Sequence, residues 1–284
     1  MINKLAIGTV QFGLDYGINN TSGQVPEEEV TAILNLAKMV GIDTIDTAHA
    51  YGKSETVLGN TNLLGGFKVI SKLPPTRKGQ VNILFQESLN RLGCSSVYGY
   101  MLHNFSIYQK DKSIWQELVK LKNGKRVQKI GVSLYSVAEL KELWADGVEL
   151  DLVQVPYNIF DRRFEEVFPE LKKKGIEIHT RSTFLQGLFF KSLMDLPNHF
   201  EPVRKKLEVI RLYCRANNQS IADLCLGFVI SNEYVNHVVI GGDKTGHLAE
   251  NIKVVKSSVS VDFSDLDNLR TDNLNIINPS LWKI

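Results

Sequence analysis

Short runs rich in valine and isoleucine alternate along the chain with longer stretches whose apolar residues recur every three or four positions. The short runs occupy 5–8, 42–46, 67–72, 97–103, 129–133, 152–155, 176–180 and 237–240. Near-continuous apolar runs of this length predict strands buried on both faces. The stretches between them predict helices. Pro26 followed by Glu27, Glu28 and Glu29 places a proline and three carboxylates in a first turn, where the helix dipole favours them. Val30, Ile33, Leu34 and Ala37 then mark one face, and Gly41 offers a left-handed stop. Ile83, Leu84, Leu89 and Leu92 mark a second helix; Trp115, Leu118, Val119 and Leu121 a third; Phe164, Val167, Phe168 and Leu171 a fourth. Ser136 and Glu139 form a capping-box pattern ahead of Leu140 and Leu143. The stretch 202–232 holds two helices split near 217–220, and 248–255 holds the last.

Eight strand–helix pairs predict a closed parallel (β/α)8 barrel, because parallel strands need helical crossovers. A single domain over 1–284 is expected, with 257–284 as a C-terminal tail packing across one barrel end. A doubly wound open sheet is the alternative, and it lacks a G-x-G-x-x-G after the first strand. Composition adds only exclusions. With 43% hydrophobic and 23% charged residues the chain is neither disordered nor fibrous, and a net charge of +2 gives no reason to expect nucleic acid or an anionic membrane as partner. Three cysteines without a C-x-x-C pair fit reduced intracellular thiols, the first residues do not read as a signal peptide, and 18 consecutive apolar residues do not occur. A cytoplasmic enzyme, monomeric or weakly self-associating, with a small-molecule partner is the expectation.

Barrel enzymes carry their chemistry at the C-terminal ends of strands. Those ends hold Asp46, Lys72, His103 and Ser133, with Tyr51 five residues beyond Asp46, Gln154 leading to Asn158, and Arg181 and Ser182 after the seventh run. Each has a plainer reading: Asp46 as a turn cap, Lys72 as a solvated lysine, His103 as a structural histidine, Tyr51 as packing. Four titratable types at successive strand ends point beyond those readings.

Asp46-Thr-Ala-His-Ala-Tyr51-Gly-Lys-Ser-Glu55 resembles the D-x-A-x-x-Y-G-x-S-E segment of the aldo-keto reductase family. Lys72 and His103 fall where that family's other catalytic residues fall. Segments 130–133, 154–158, 182–187 and 248–251 are similar to its G-V-S, Q-x-x-Y-N, S-P-L-x-x-G and L-x-E-N segments. The matches run in order over almost the whole chain. The resemblance implies reduction of an aldehyde or ketone, including a sugar-like carbonyl, by a nicotinamide cofactor without metal. It implies Tyr51 as proton donor, Lys72 lowering the phenol's pKa, Asp46 orienting Lys72, and His103 positioning the substrate carbonyl. It further implies cofactor contacts from Gly8, Thr9, Asp46, Ser133, Gln154, Arg181, Ser182, Phe184, Gln186, Gly241, Lys244, His247, Glu250 and Asn251. Substrate contacts are expected from Tyr51, His103, Asn104 and Tyr16, with Asp15, Phe105, Phe160 and Arg162 as further candidates.

Departures from the family pattern bear on the cofactor. Leu134 stands where Asn is common. Arg181 replaces the usual aromatic and would repel an oxidised, cationic nicotinamide, unless it merely pairs with a carboxylate. Gly241 replaces a common basic residue, and His247 a frequent Arg. Lys244 is left to meet a 2′-phosphate, with Asp243 opposing one. NADPH is expected from the family as a whole, with NADH as the alternative. Three other functions compete: a Schiff-base aldolase using Lys72, a metal-dependent hydrolase using Asp46, His49 and His103, and a non-catalytic nucleotide-binding barrel.

Overall fold

The computed structural model describes residues 1–257 and 264–282. Its eight strands are β1 (Leu5–Gly8), β2 (Thr44–Asp46), β3 (Lys68–Leu73), β4 (Val97–Leu102), β5 (Val127–Ser133), β6 (Leu152–Pro156), β7 (Glu177–Arg181) and β8 (His237–Gly241). All neighbours pair in parallel, and β8 closes on β1. The expected barrel is therefore the observed one, and the open-sheet alternative is excluded.

The helices follow their sequence signals. Pro26 caps Glu27–Val40, whose first turn holds all three glutamates, and Gly41 ends it at φ +88°. Ser136 accepts from the Glu139 N–H and the Glu139 side chain returns to Ser136, so the capping box ahead of Val137–Ala145 is complete. In Val81–Leu92 the face differs from the one expected. Val81, Phe85, Ser88, Leu89 and Leu92 are buried while Ile83 is 58% exposed. The true stripe runs through Phe85 and Ser88, and a serine at its centre blurs the apolar period. Two short helices, Ser54–Asn60 and Phe105–Lys110, gave no periodic signal at their length.

Side chains alternate across a strand. Ile70, Met101 and Leu152 form a small cluster separate from the main core, which places them inside the barrel. Gly131 makes room there, since a Cβ at this position would lie 2.0 Å from the Leu152 carbonyl oxygen. Two residues further along the same strands, on the same side, come Lys72, His103 and Gln154. The apolar plug thus becomes the floor beneath a polar layer at the C-terminal rim. At the opposite end, Glu177 accepts from Tyr98 Oη at 2.8 Å and pairs with Lys129 at 2.9 Å, beside His179 and His237, whose rings meet at a tilt of 56°. These contacts seal the N-terminal mouth.

Within the described part of the tail, Leu266, Leu269, Ile276 and Ile277 are buried. Arg162 donates to Asp267 Oδ1 at 2.7 Å and to the Leu266 carbonyl at 3.0 Å, and Trp282 packs edge-on against Phe200. Phe263, a further apolar residue of the tail sequence, lies outside the described residues.

Candidate active site

The centre of the rim is a buried ion pair. Lys72 Nζ donates to Asp46 Oδ2 at 2.6 Å, to the Thr47 carbonyl at 2.9 Å and to Tyr51 Oη at 3.4 Å. Lys72 and Asp46 are 1% and 2% exposed. A charge so deep is tolerated only with partners, and here all three ammonium hydrogens have one. Gln154 Nε2 donates to the other carboxylate oxygen at 2.7 Å, so Asp46 is fixed from two strands. Tyr51 stands on the turn after β2. Gly13 lets the short helix Val10–Gly13 press on that turn, because a Cβ there would lie 1.9 Å from the Tyr51 carbonyl oxygen. The Tyr51 ring meets His103 edge-on at 5.6 Å.

The electrostatics follow from burial and these partners. Burial would drive Lys72 toward the neutral amine, but Asp46 and Tyr51 outweigh it and hold its pKa above the ordinary lysine value. Burial pushes the Tyr51 phenol up, and Lys72 recovers only part of that rise. The lysine was expected to bring the phenol below its usual pKa. Burial wins instead, because Asp46 screens the ammonium and adds its own negative charge. Burial, assisted by Lys72, lowers His103 to about 4, so its imidazole is neutral near pH 7.

A cavity of about 760 Å³ opens over this centre. At one end it is lined by Asp46, Tyr51, His103, Ser133, Gln154 and Arg181, and at the other by Asp243, His247, Glu250 and Asn251. Gly8, Thr9, Tyr16, Ser182, Phe184, Gln186 and Gly241 lie along its walls. The structure thus gathers nearly every residue expected at a cofactor or substrate. Thr9 spends its N–H and hydroxyl on the Asp46 carbonyl, so its side chain braces β2. The Arg181 guanidinium lies 4.2 Å over the Tyr135 ring and donates to the Leu134 carbonyl and Ser182 Oγ; among the described residues it has no carboxylate partner. Ser182 adopts φ +65°, and Asn158 Nδ2 holds its carbonyl at 3.0 Å.

Several candidates sit elsewhere. Asn104 caps the helix Phe105–Lys110 and accepts from Ser106 Oγ. Phe105 and Phe160 are core residues, Arg162 holds the tail, and Asp15 is exposed away from the cavity wall. Lys244 is also absent from the wall; its charge acts on Glu29. His49 turns to Ser88 and Glu87, so Asp46, His49 and His103 do not converge. Among the described residues, no three His, Cys, Asp or Glu side chains are placed to hold a metal ion.

Residues missed in the sequence also line the cavity, notably Gln11, Asn19, Tyr135, Pro279 and Ser280. Asn19 Nδ2 donates to the Gly187 carbonyl at 2.7 Å and Gln186 Nε2 to Tyr16 Oη at 2.7 Å, closing the long loop after β1 over the loop after β7. No local signal marks such residues; two distant loops bring them together. A nicotinamide dinucleotide fits this wall chemically. The cavity is large and mixed in polarity, and among the described residues Gln11 Oε1, His103 Nδ1 and Thr183 Oγ1 on its lining are buried without a partner.

A parallel barrel with a phenol, a paired ammonium and a neutral imidazole at one rim defines a carbonyl oxidoreductase. The chain belongs to the aldo/keto reductase family, whose model matches residues 4–270. It is 23% identical to L-galactose dehydrogenase of Arabidopsis thaliana, over 88% of this chain and 85% of that protein. It is 22% identical to the NADH-specific methylglyoxal reductase of Escherichia coli, over 94% and 92% of the two chains. The fold is similar to that of aldo-keto reductase AKR11C1 from Bacillus halodurans in its holo form, with TM-score 0.74, 18% identity, and 94% and 90% of the chains covered.

Proposed function

We propose that the protein reduces an aldehyde or ketone to the alcohol in the cavity above Lys72, with Tyr51 as proton donor. The observation that carries this reading is Lys72 Nζ held between Asp46 Oδ2 and Tyr51 Oη on the cavity floor. A reduced nicotinamide, when bound, supplies a hydride to the carbonyl carbon. The oxygen then gains negative charge and must be stabilised and protonated. Tyr51 gives its hydroxyl proton to that oxygen. Lys72 stabilises the phenolate left behind, and Asp46 keeps Lys72 charged and aimed. Neutral His103 orients the carbonyl oxygen by a hydrogen bond. Ser133 and Gln154 would hold the nicotinamide carboxamide, Gln154 through the amide oxygen that its bond to Asp46 leaves free. Arg181 places positive charge at this end and so favours binding of the neutral, reduced ring over the oxidised, cationic one.

The mixed aromatic and polar wall supports a small polar carbonyl compound, sugar-like in character, and two relatives are named for a sugar and for a small oxoaldehyde. On the phosphate form of the cofactor, the family resemblance offers Lys244 for NADPH, whereas the charges on the cavity wall favour NADH. Three free cysteines, Cys94, Cys214 and Cys225, support a reducing, cytoplasmic setting. The aldolase alternative is disfavoured, because a lysine held charged by Asp46 is a poor nucleophile.

Tyr51→Phe tests the reading. It should lower turnover by about 10²–10⁴ while dinucleotide binding, read by fluorescence quenching, changes little. Turnover near wild type in this variant would overturn the assignment of Tyr51 as donor.

A further inference from the structure

The far end of the cavity bears on which dinucleotide the protein selects, given the reading that the nicotinamide lies against Tyr51. That reading leaves the adenosine end among Asp243, His247, Glu250 and Asn251. The 2′-phosphate of NADPH is a dianion and needs a cation or free N–H groups there. Among the described residues, no lysine or arginine lines that end of the wall. His247 Nδ1 is paired with Asp243 Oδ1 at 2.9 Å. Asp243 and Glu250 both bring carboxylates to the wall, and Lys244 does not reach it.

The helix Thr245–Lys256 begins at this end, and its N-terminus would ordinarily attract phosphate. Glu29 has taken part of that place. Its Oε1 accepts the Thr245 N–H at 2.5 Å and the Thr245 hydroxyl at 2.6 Å. A carboxylate from the helix Glu27–Val40 thus occupies the first turn, and Lys244 lies where its charge stabilises that carboxylate. An unphosphorylated ribose meets the same wall favourably, since a carboxylate accepts hydrogen bonds from vicinal hydroxyls.

We propose that Asp243, braced by His247, binds the adenine ribose 2′-hydroxyl and makes this enzyme select NADH over NADPH, with Glu29 adding a carboxylate at the first N–H of the adjacent helix. The Asp243 and His247 side chains are 41% and 52% exposed, so the repulsion is screened by salt. Selectivity therefore falls as ionic strength rises.

The test is direct binding of NADH and NADPH to the full chain, by fluorescence titration at low and high salt, in the wild type and in Asp243→Ser. Wild type should bind NADH at least about tenfold more tightly than NADPH at low salt, a size ordinary for one discriminating contact. Asp243→Ser should tighten NADPH and weaken NADH, bringing the two within about threefold. Equal affinities in the wild type, tighter NADPH, or a ratio unmoved in Asp243→Ser would overturn the proposal. Failure of both dinucleotides to bind would overturn this proposal and the carbonyl-reductase reading together. Preference for NADPH would overturn this proposal alone.

Discussion

Lys72 is charged where charge is most costly to place, on an inward position one layer above Ile70, Met101 and Leu152. Its partners make that possible, and they also make it a point of vulnerability. Lys72→Met would leave Asp46 buried with Gln154 as its one side-chain donor. The expected result is a loss of about 3–5 kcal/mol of stability, measured by urea unfolding, together with a fall in turnover of about 10² or more. A stable, active Lys72→Met variant would show that the ammonium is neither a structural nor a catalytic necessity. At this scale the identities of Asp46, Tyr51, Lys72 and His103 were legible, because each follows a recognisable strand. The sign of the Tyr51 shift was not. It depends on how deeply the ring is buried and on Asp46 opposing Lys72, neither of which a list of residues contains.

At the scale of elements, caps and strand ends carried clear signals and short helices did not. The helix Val81–Leu92 is the instructive case. Ile83 was expected in the core and is exposed, whereas Phe85 is fully buried and meets Tyr100 at 4.8 Å. Phe85→Ala should therefore cost about 3–5 kcal/mol, and Ile83→Ala should stay within about 0.5 kcal/mol. Chemical denaturation of the two variants compares them directly; equal costs would contradict the observed face. The tie between the loop after β1 and the loop after β7 carries no local signal in the sequence. Hydrogen bonds such as Asn19 to Gly187 join residues 168 positions apart.

For the whole molecule, acid is the expected weakness. Burial lowers His103 at one rim and His237 at the other, each from 6.5 to about 4. Between those values the unfolded chain takes up protons that the folded barrel refuses. The stability these neutral imidazoles contribute is therefore present above about pH 6.5 and is lost as pH falls toward 4. Glu177 adds to the effect at lower pH. Burial opposes its ionisation, but hydrogen bonds from His179, Lys129 and Tyr98 win and hold it at about 2, so its contribution is lost as pH falls from 4.5 toward 2. Thermal unfolding followed from pH 7 to pH 4 should show a falling midpoint, and His237→Asn should flatten the curve. A midpoint independent of pH over that range would contradict the buried neutral histidines.

The sequence by itself determined the barrel and its order of strands, because apolar runs alternating with capped helices admit few other solutions. It also placed Asp46, Tyr51, Lys72 and His103 at one rim, because strand ends share one rim in such a barrel, and the roles proposed for them come from the family resemblance. Only the tertiary structure decided what faces the cavity. Asn104, Phe105, Phe160, Arg162 and Lys244 turn away from it, while Gln11, Tyr135 and the tail turn at Pro279 and Ser280 line it. Strand periodicity fixes the direction of a side chain within a strand. In loops and tails that direction is set by distant partners, such as Asp267 for Arg162 and Glu29 for Thr245, and such pairings exist only once the chain has closed.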